Sequence, residues 1–136
     1  MGDHILVVVN DIEDSMKAVM EAARLAGRDP ENKVILLNVF SMLETPIQKS
    51  NERIIDLKSV ITKKSEDALL KPVAYLEEQG VAYEKLTRVG NPVQEICMNV
   101  RFHQCKMLLL SGSPNEELER LKESVLKKVT CPIQVV

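Results

Sequence analysis

Few residues in this chain of 136 have types and spacing suited to chemistry. Asp11, Glu13 and Asp14 crowd behind an apolar run and could share a divalent cation, although three carboxylates there equally suit the first turn of a helix, whose macrodipole favours negative charge. Ser111-Gly112-Ser113 follows another apolar run. Backbone amides and small hydroxyls at such a turn can hold an anion, and ordinary strand-to-helix turns read the same way. His4 and His103 stand far apart, without acidic or cysteine partners at ligand spacing, so no metal site is expected. Cys97, Cys105 and Cys131 are odd in number and widely spaced, with neither a disulfide framework nor a C-x-x-C knuckle, and read as reduced packing residues. There is no G-x-S-x-G elbow, Walker A string or H-E-x-x-H, and no catalytic residues are expected.

Composition narrows the classes further. Hydrophobic residues at 45% and charged residues at 28% suit one globular domain over 1–136 with a real core. Two Tyr, two Phe and no Trp leave almost nothing on which sugars or single-stranded nucleic acid could stack. Eighteen basic against twenty acidic residues, with no block of like charge, remove the footprint of a duplex-binding or membrane-surface domain. No apolar run is long enough to span a bilayer and no export signal opens the chain, so a cytoplasmic location is expected.

The elements that must position these residues follow from periodicity. Ile5 to Val9 is an unbroken β-branched and aliphatic run closed by Asn10-Asp11, the pattern of a strand buried on both faces. A helix follows over 14–26, with Met16, Val19, Met20, Ala23 and Ala26 at three- and four-residue steps and Gly27 placed for a left-handed cap. Residues 34–39 form a second buried strand, interrupted only by Asn38. A long helical pattern over 51–79 closes at Gly80, and Pro72 is expected to kink or divide it near residue 68. Residues 81–88 mix charge with apolar positions, as an edge strand does. Gly90-Asn91-Pro92 turns into a helix with Val93, Ile96, Cys97 and Val100 inward, 107–110 is a fourth strand, a last helix starts at Pro114, and the chain closes on 131–136.

Strict alternation of strands and helices predicts a three-layer α/β/α fold: a five-stranded parallel sheet with helices on both faces. Right-handed crossovers, apolar strands at the centre and the charged strand at an edge are all satisfied by the order 3-2-1-4-5. That order places a topological switch point between the first and fourth strands, so the crevice beyond Asn10, Asp11, Ser111, Gly112 and Ser113 is the expected ligand site. It also leaves 131–136 as an apolar edge, with Gln134 its only polar side chain, and predicts a homodimer paired through that segment.

Several stretches in order resemble the universal stress protein family: Ile5 to Val9 with Asp11, Ser15 and Ala18, like its first strand and helix; Leu36-Leu37-Asn38-Val39, where the family usually has Leu-Leu-His-Val; Val89-Gly90-Asn91-Pro92 through Ile96, like its Gly-x-Pro turn and third helix; and the closing Cys131-Pro132-Ile133-Gln134-Val135-Val136. The resemblance covers nearly the whole chain. It implies the same sheet order and dimers paired through the last strand, and it adds Val39 to the candidate crevice residues. The family also supplies domains to larger transporters and kinases, and a chain that stops at its last strand is compatible with that origin.

Family members that bind ATP carry Gly-x-x-Gly, nine residues, then Gly-Ser or Gly-Thr after the fourth strand. Here the stretch reads Ser111-Gly112-Ser113-Pro114-Asn115-Glu116-Glu117, and no glycine follows Gly112. Ser113-Pro114-Asn115-Glu116 instead fits a capping box, in which side chains take up the amides that would hold phosphate. Glu116, Glu117 and Glu119 favour the helix dipole and repel a triphosphate. Binders usually place Asp at the end of the first strand. This chain has Asn10 there and Asp11 one position later, where it could reach a ribose or, with Asp14, cap the helix. The expected function is therefore a non-catalytic domain that does not bind ATP through the glycine motif and acts by dimerising or docking to proteins, with no cofactor. The alternative is a nucleotide or small-anion sensor with a remodelled loop. An enzyme of a related adenine-nucleotide fold, such as an electron-transfer flavoprotein subunit or a nucleotide hydrolase, is disfavoured because the loops of those enzymes are not visible.

Overall fold

Runs of Val, Ile and Leu with no polar face cannot turn either side to water, so they must lie between two layers. The computed structural model describes residues 2–9, 12–40, 54–111 and 116–136, the side chains of 12–14, 54–58 and 116–118 excepted. In it the chain runs β1 (His4–Val8), α1 (Ile12–Ala26), β2 (Lys33–Phe40), α2 (Ile54–Glu78), β3 (Ala82–Val89), α3 (Pro92–Phe102), β4 (Met107–Leu110), α4 (Glu116–Leu126) and β5 (Ile133–Val135). The strands form one parallel sheet in the order β3-β2-β1-β4-β5, as the apolar and charged runs predict. Ile5 stands opposite Val34 on one side and Met107 on the other, and Leu108 stands opposite Ile133.

The two-residue period of the strands divides the core into two layers. Ile5, Val7, Val34, Leu36 and Leu109 face α1 and α2, where Ala18, Val19, Ala22, Leu69 and Leu76 close over them. Leu6, Val8, Ile35, Leu37, Leu108 and Leu110 face Ile96, Cys97 and Val100 of α3 and Val125 of α4. The alanines of α1 matter here, since small side chains let the helix lie close to the three central strands. Both edges are more open: β3 is largely exposed, and β5 leaves Val135 at 38% exposure.

Helix ends follow local chemistry. Asn91 caps α3 by accepting the Gln94 amide at 3.1 Å, with Pro92 in the first turn, as expected from the sequence. At the end of α2 the Gly80 amide donates to the Glu77 carbonyl and the Val81 amide to the Leu76 carbonyl. Gly80 supplies the left-handed conformation this pattern needs, at φ +71°, and Val81 and Leu76 meet in the core layer.

Two expectations are corrected. Gly27 is not left-handed: its amide still bonds the Ala23 carbonyl at 2.9 Å, and the turn unwinds through longer bonds from Arg28 to Leu25 and from Asp29 to Ala26. Of the two outcomes expected at Pro72, a kink or a division, division does not occur, since α2 runs unbroken from Ile54 to Glu78. Proline forfeits the bond to the Ala68 carbonyl, but buried Leu69 and Leu76 hold both sides of it against one face of the sheet. Pro72 is itself buried.

A row of charge crosses the amino-terminal end of the sheet on the α3 side. Lys33 pairs with Glu84 at 3.1 Å, and His4, opposite Lys33, donates from Nδ1 to the His103 carbonyl at 2.8 Å. Burial holds the His103 imidazole below the usual histidine value; Glu84 opposes that, while His4, Lys33 and Arg88 add to it.

The packing sets the expected cost of two core and surface changes. Leu109→Ala, which opens a void under α1, should cost about 2–5 kcal/mol in urea unfolding, whereas Leu70→Ala at a 69% exposed site should stay within about 0.5 kcal/mol. Because folding disfavours the charged form of His103, its contribution is intact above the ordinary histidine pKa and is lost as pH falls through that value towards the lower folded one. His103→Gln should flatten that limb of the stability-against-pH curve, and an unchanged slope would contradict the assignment.

Candidate functional site

The observed order puts β1 beside β4, with α1 on one face of the sheet and α4 on the other, which is the topological switch point at which a ligand crevice is expected. Of the residues expected there, Asn10, Asp11, Gly112 and Ser113 lie outside the described residues, as does the start of the capping box. The side chains of Glu13, Asp14, Glu116 and Glu117 are likewise not described; Glu119 is exposed.

Val39 and Ser111 are described. Val39 is 8% exposed and packs into the layer under α3 and α4 with Leu37 and Val8. Ser111 follows the last residue of β4, and its buried Oγ has no hydrogen-bond partner among the described residues.

Asn38 was visible in the sequence only as the polar interruption of a buried strand, yet it organises this end of the sheet. The Val9 amide donates to the Leu37 carbonyl at 2.8 Å, and Asn38 Nδ2 donates to the Val9 carbonyl at 2.5 Å. The backbone leaving β1 is thus held from β2 by main chain and side chain together. Asn38 is 3% exposed, and its Oδ1 has no partner. Ser15 of α1 is also buried, at 1% exposure. Asn38 and Ser15 are thus buried polar side chains near the carboxyl end of β1, and among the described residues Asn38 Oδ1 and Ser111 Oγ have no partner. An unsatisfied buried oxygen costs about 1–3 kcal/mol, so each is a position where a donor from water or a ligand would be welcomed.

Other chemistry is weak. Burial pushes the Cys105 thiol up to about 12, with Cys131 adding to the shift, and burial also raises Cys97 and Cys131. Thiols so shifted are poor nucleophiles at neutral pH, as packing residues are. Among the described residues no three His, Cys, Asp or Glu side chains gather as a metal site, and no helix is long and apolar enough to cross a membrane. Three surface cavities lie elsewhere: one of about 500 Å³ between α2 and β3, one of about 560 Å³ where α1 and α2 meet Val136, and one of about 340 Å³ between α3 and Lys128. None of the three is lined by Val39 or Ser111.

Comparison with known proteins agrees with this geometry. The hypothetical protein MJ0577 superposes with a TM-score of 0.80 at 24% identity, over 100% of this chain and 96% of its own. Universal stress protein UspA from Lactobacillus plantarum gives 0.75 at 16% identity, over 98% and 97%. A universal stress protein family protein from Arabidopsis thaliana, solved with AMP bound, gives 0.72 at 20% identity, over 98% and 90%. No curated protein matches the sequence. The model of the universal stress protein family matches residues 1–136, and with the parallel 3-2-1-4-5 sheet and its helices on both faces, the chain belongs to that family.

Proposed function

We propose that this domain is a non-catalytic regulatory member of its family, acting in stress response or regulation by dimerising or docking to other proteins, and that it does not hold ATP through a glycine-rich loop. One observation carries the second half: no glycine follows Gly112, and Glu116, Glu117 and Glu119 stand where phosphate would need amides and positive field. The open edge of β5 supports the first half. The Pro132 carbonyl and the Val136 amide both bond inward to β4, at 3.0 and 2.9 Å, so by the alternation of a parallel ladder Ile133 and Val135 turn their amides outward. The segment 131–136 is thus a template for a second copy.

A nucleotide or small-anion sensor is the second reading. It is favoured by the unpaired Asn38 Oδ1 and Ser111 Oγ at the switch-point end of the sheet, and by the AMP bound to the Arabidopsis thaliana relative. In that case Asn10, Asp11, Ser111, Gly112 and Ser113 would line the ligand.

Four measurements bear on these readings. A fluorescent ATP analogue with Mg²⁺ should show no saturable binding to the purified protein; micromolar binding in the crevice would sink the leading proposal. Val135→Pro, which removes an outward amide while leaving the β4 bonds in place, should convert a dimer to a monomer in sedimentation; a wild-type monomer, or a variant that stays dimeric, contradicts edge pairing. Asn38→Ala should cost about 1–3 kcal/mol by orphaning the Val9 carbonyl, while Ser111→Ala should leave the melting temperature unchanged or higher. AMP that stabilises the wild type but not Ser111→Ala would favour the sensor.

A further inference from the structure

The outer face of α3 combines two features that a solvated helix seldom shows together. Met98 is 55% exposed and Phe102, one turn further on, is 79% exposed, in a chain that has only two Phe. Phe102 has the greatest exposure of the described large hydrophobic side chains. Beside them runs a groove of about 340 Å³ lined by Gln94, Cys97, Met98 and Arg101 of α3 and by Lys128, just beyond α4. Buried Cys97 is at its inner wall, and the charges of Lys128 and Arg101 both act on that thiol, so the two cations converge on one spot. Among the described residues no carboxylate lines the groove. In a chain whose net charge is −2, this is a local reversal of sign next to an apolar strip.

Gln94, Met98, Arg101 and Phe102 fall on one side of α3 at three- and four-residue steps, and Gln94 to Arg101 spans about 10 Å, two helical turns. A stripe of that length, apolar with cations along one border, complements the face of another helix. We propose that the groove between α3 and Lys128 docks an acidic amphipathic helix of a partner protein, with its aliphatic side chains over Met98 and Phe102 and its carboxylates on Arg101 and Lys128. The proposal gives a place and a chemistry to the docking function proposed above and rests on that reading. It is separate from the dimer edge, which is formed by 131–136.

The test uses the full chain, isotope-labelled for NMR, and a blocked peptide of about four turns built from Glu with Leu at helical spacing, alongside the same peptide with Lys for Glu. The Glu peptide should shift amides of Gln94 to Phe102 and Lys128, and rising salt should weaken it. Both Arg101→Glu with Lys128→Glu and Met98→Ser with Phe102→Ser should weaken binding by roughly tenfold or more, because charge and apolar contact act together. All four side chains are exposed, and circular dichroism melts establish that each variant folds. No binding, equal binding of the Lys peptide, or binding indifferent to either pair overturns the proposal. So does self-association lost with Phe102→Ser, which would make the occupant a second copy. Inorganic phosphate matching the peptide, or adsorption to phosphatidylglycerol vesicles without peptide binding, overturns it in favour of a simple anion site or a membrane surface. Any of these failures leaves the ATP-analogue and Val135→Pro results untouched, so the broader docking reading stands or falls separately.

Discussion

Everything in this molecule depends on covering both faces of the β2-β1-β4 unit. Leu6, Val7, Ile35, Leu36, Leu108 and Leu109 are all essentially inaccessible, and they alternate between the two faces. A strand apolar on both sides is stable only inside a three-layer sandwich, and parallel strands require helical crossovers that supply those layers. With right-handed crossovers the chain winds in one direction from β1 to β3, then returns past β1 to place β4 and β5 on its other side. The switch point between β1 and β4 is a by-product of that covering.

Scaffold and crevice come from burial, whereas ligand capture needs specific donors at the strand ends. At this end of the sheet the described residues offer two unpaired oxygens and one buried amide already engaged with Val9. Asn38 Oδ1 can only accept and suits a ligand amino or hydroxyl group, whereas the Ser111 hydroxyl can also donate to an anion. Two cations, Arg101 and Lys128, converge instead on the groove beside α3, over the other core layer.

Much of the architecture was legible from residue types. Continuous aliphatic runs marked the central strands, charge marked β3 as an edge, and Asn91-Pro92 and Gly80 marked helix ends whose capping bonds are now seen. Gly27 and Pro72 misled for one reason: each has a local preference that packing overrode. Gly27 is free to turn left but continues the helical bond to Ala23, and Pro72 is carried by the burial of Leu69 and Leu76. The site was less legible. Asn38 showed only as a polar residue in an apolar run, because a hydrogen bond to Val9, twenty-nine residues away, depends on strand pairing that no local pattern contains. Val39, expected at the crevice, is buried in the layer under α3 and α4.

Native mass spectrometry of the protein purified without added ligand tests the central claim most directly, that the family scaffold is kept here without its ATP-holding loop. The expected result is a dimer at the mass of two bare chains. A species heavier by one nucleotide per chain, surviving buffer exchange, would contradict it.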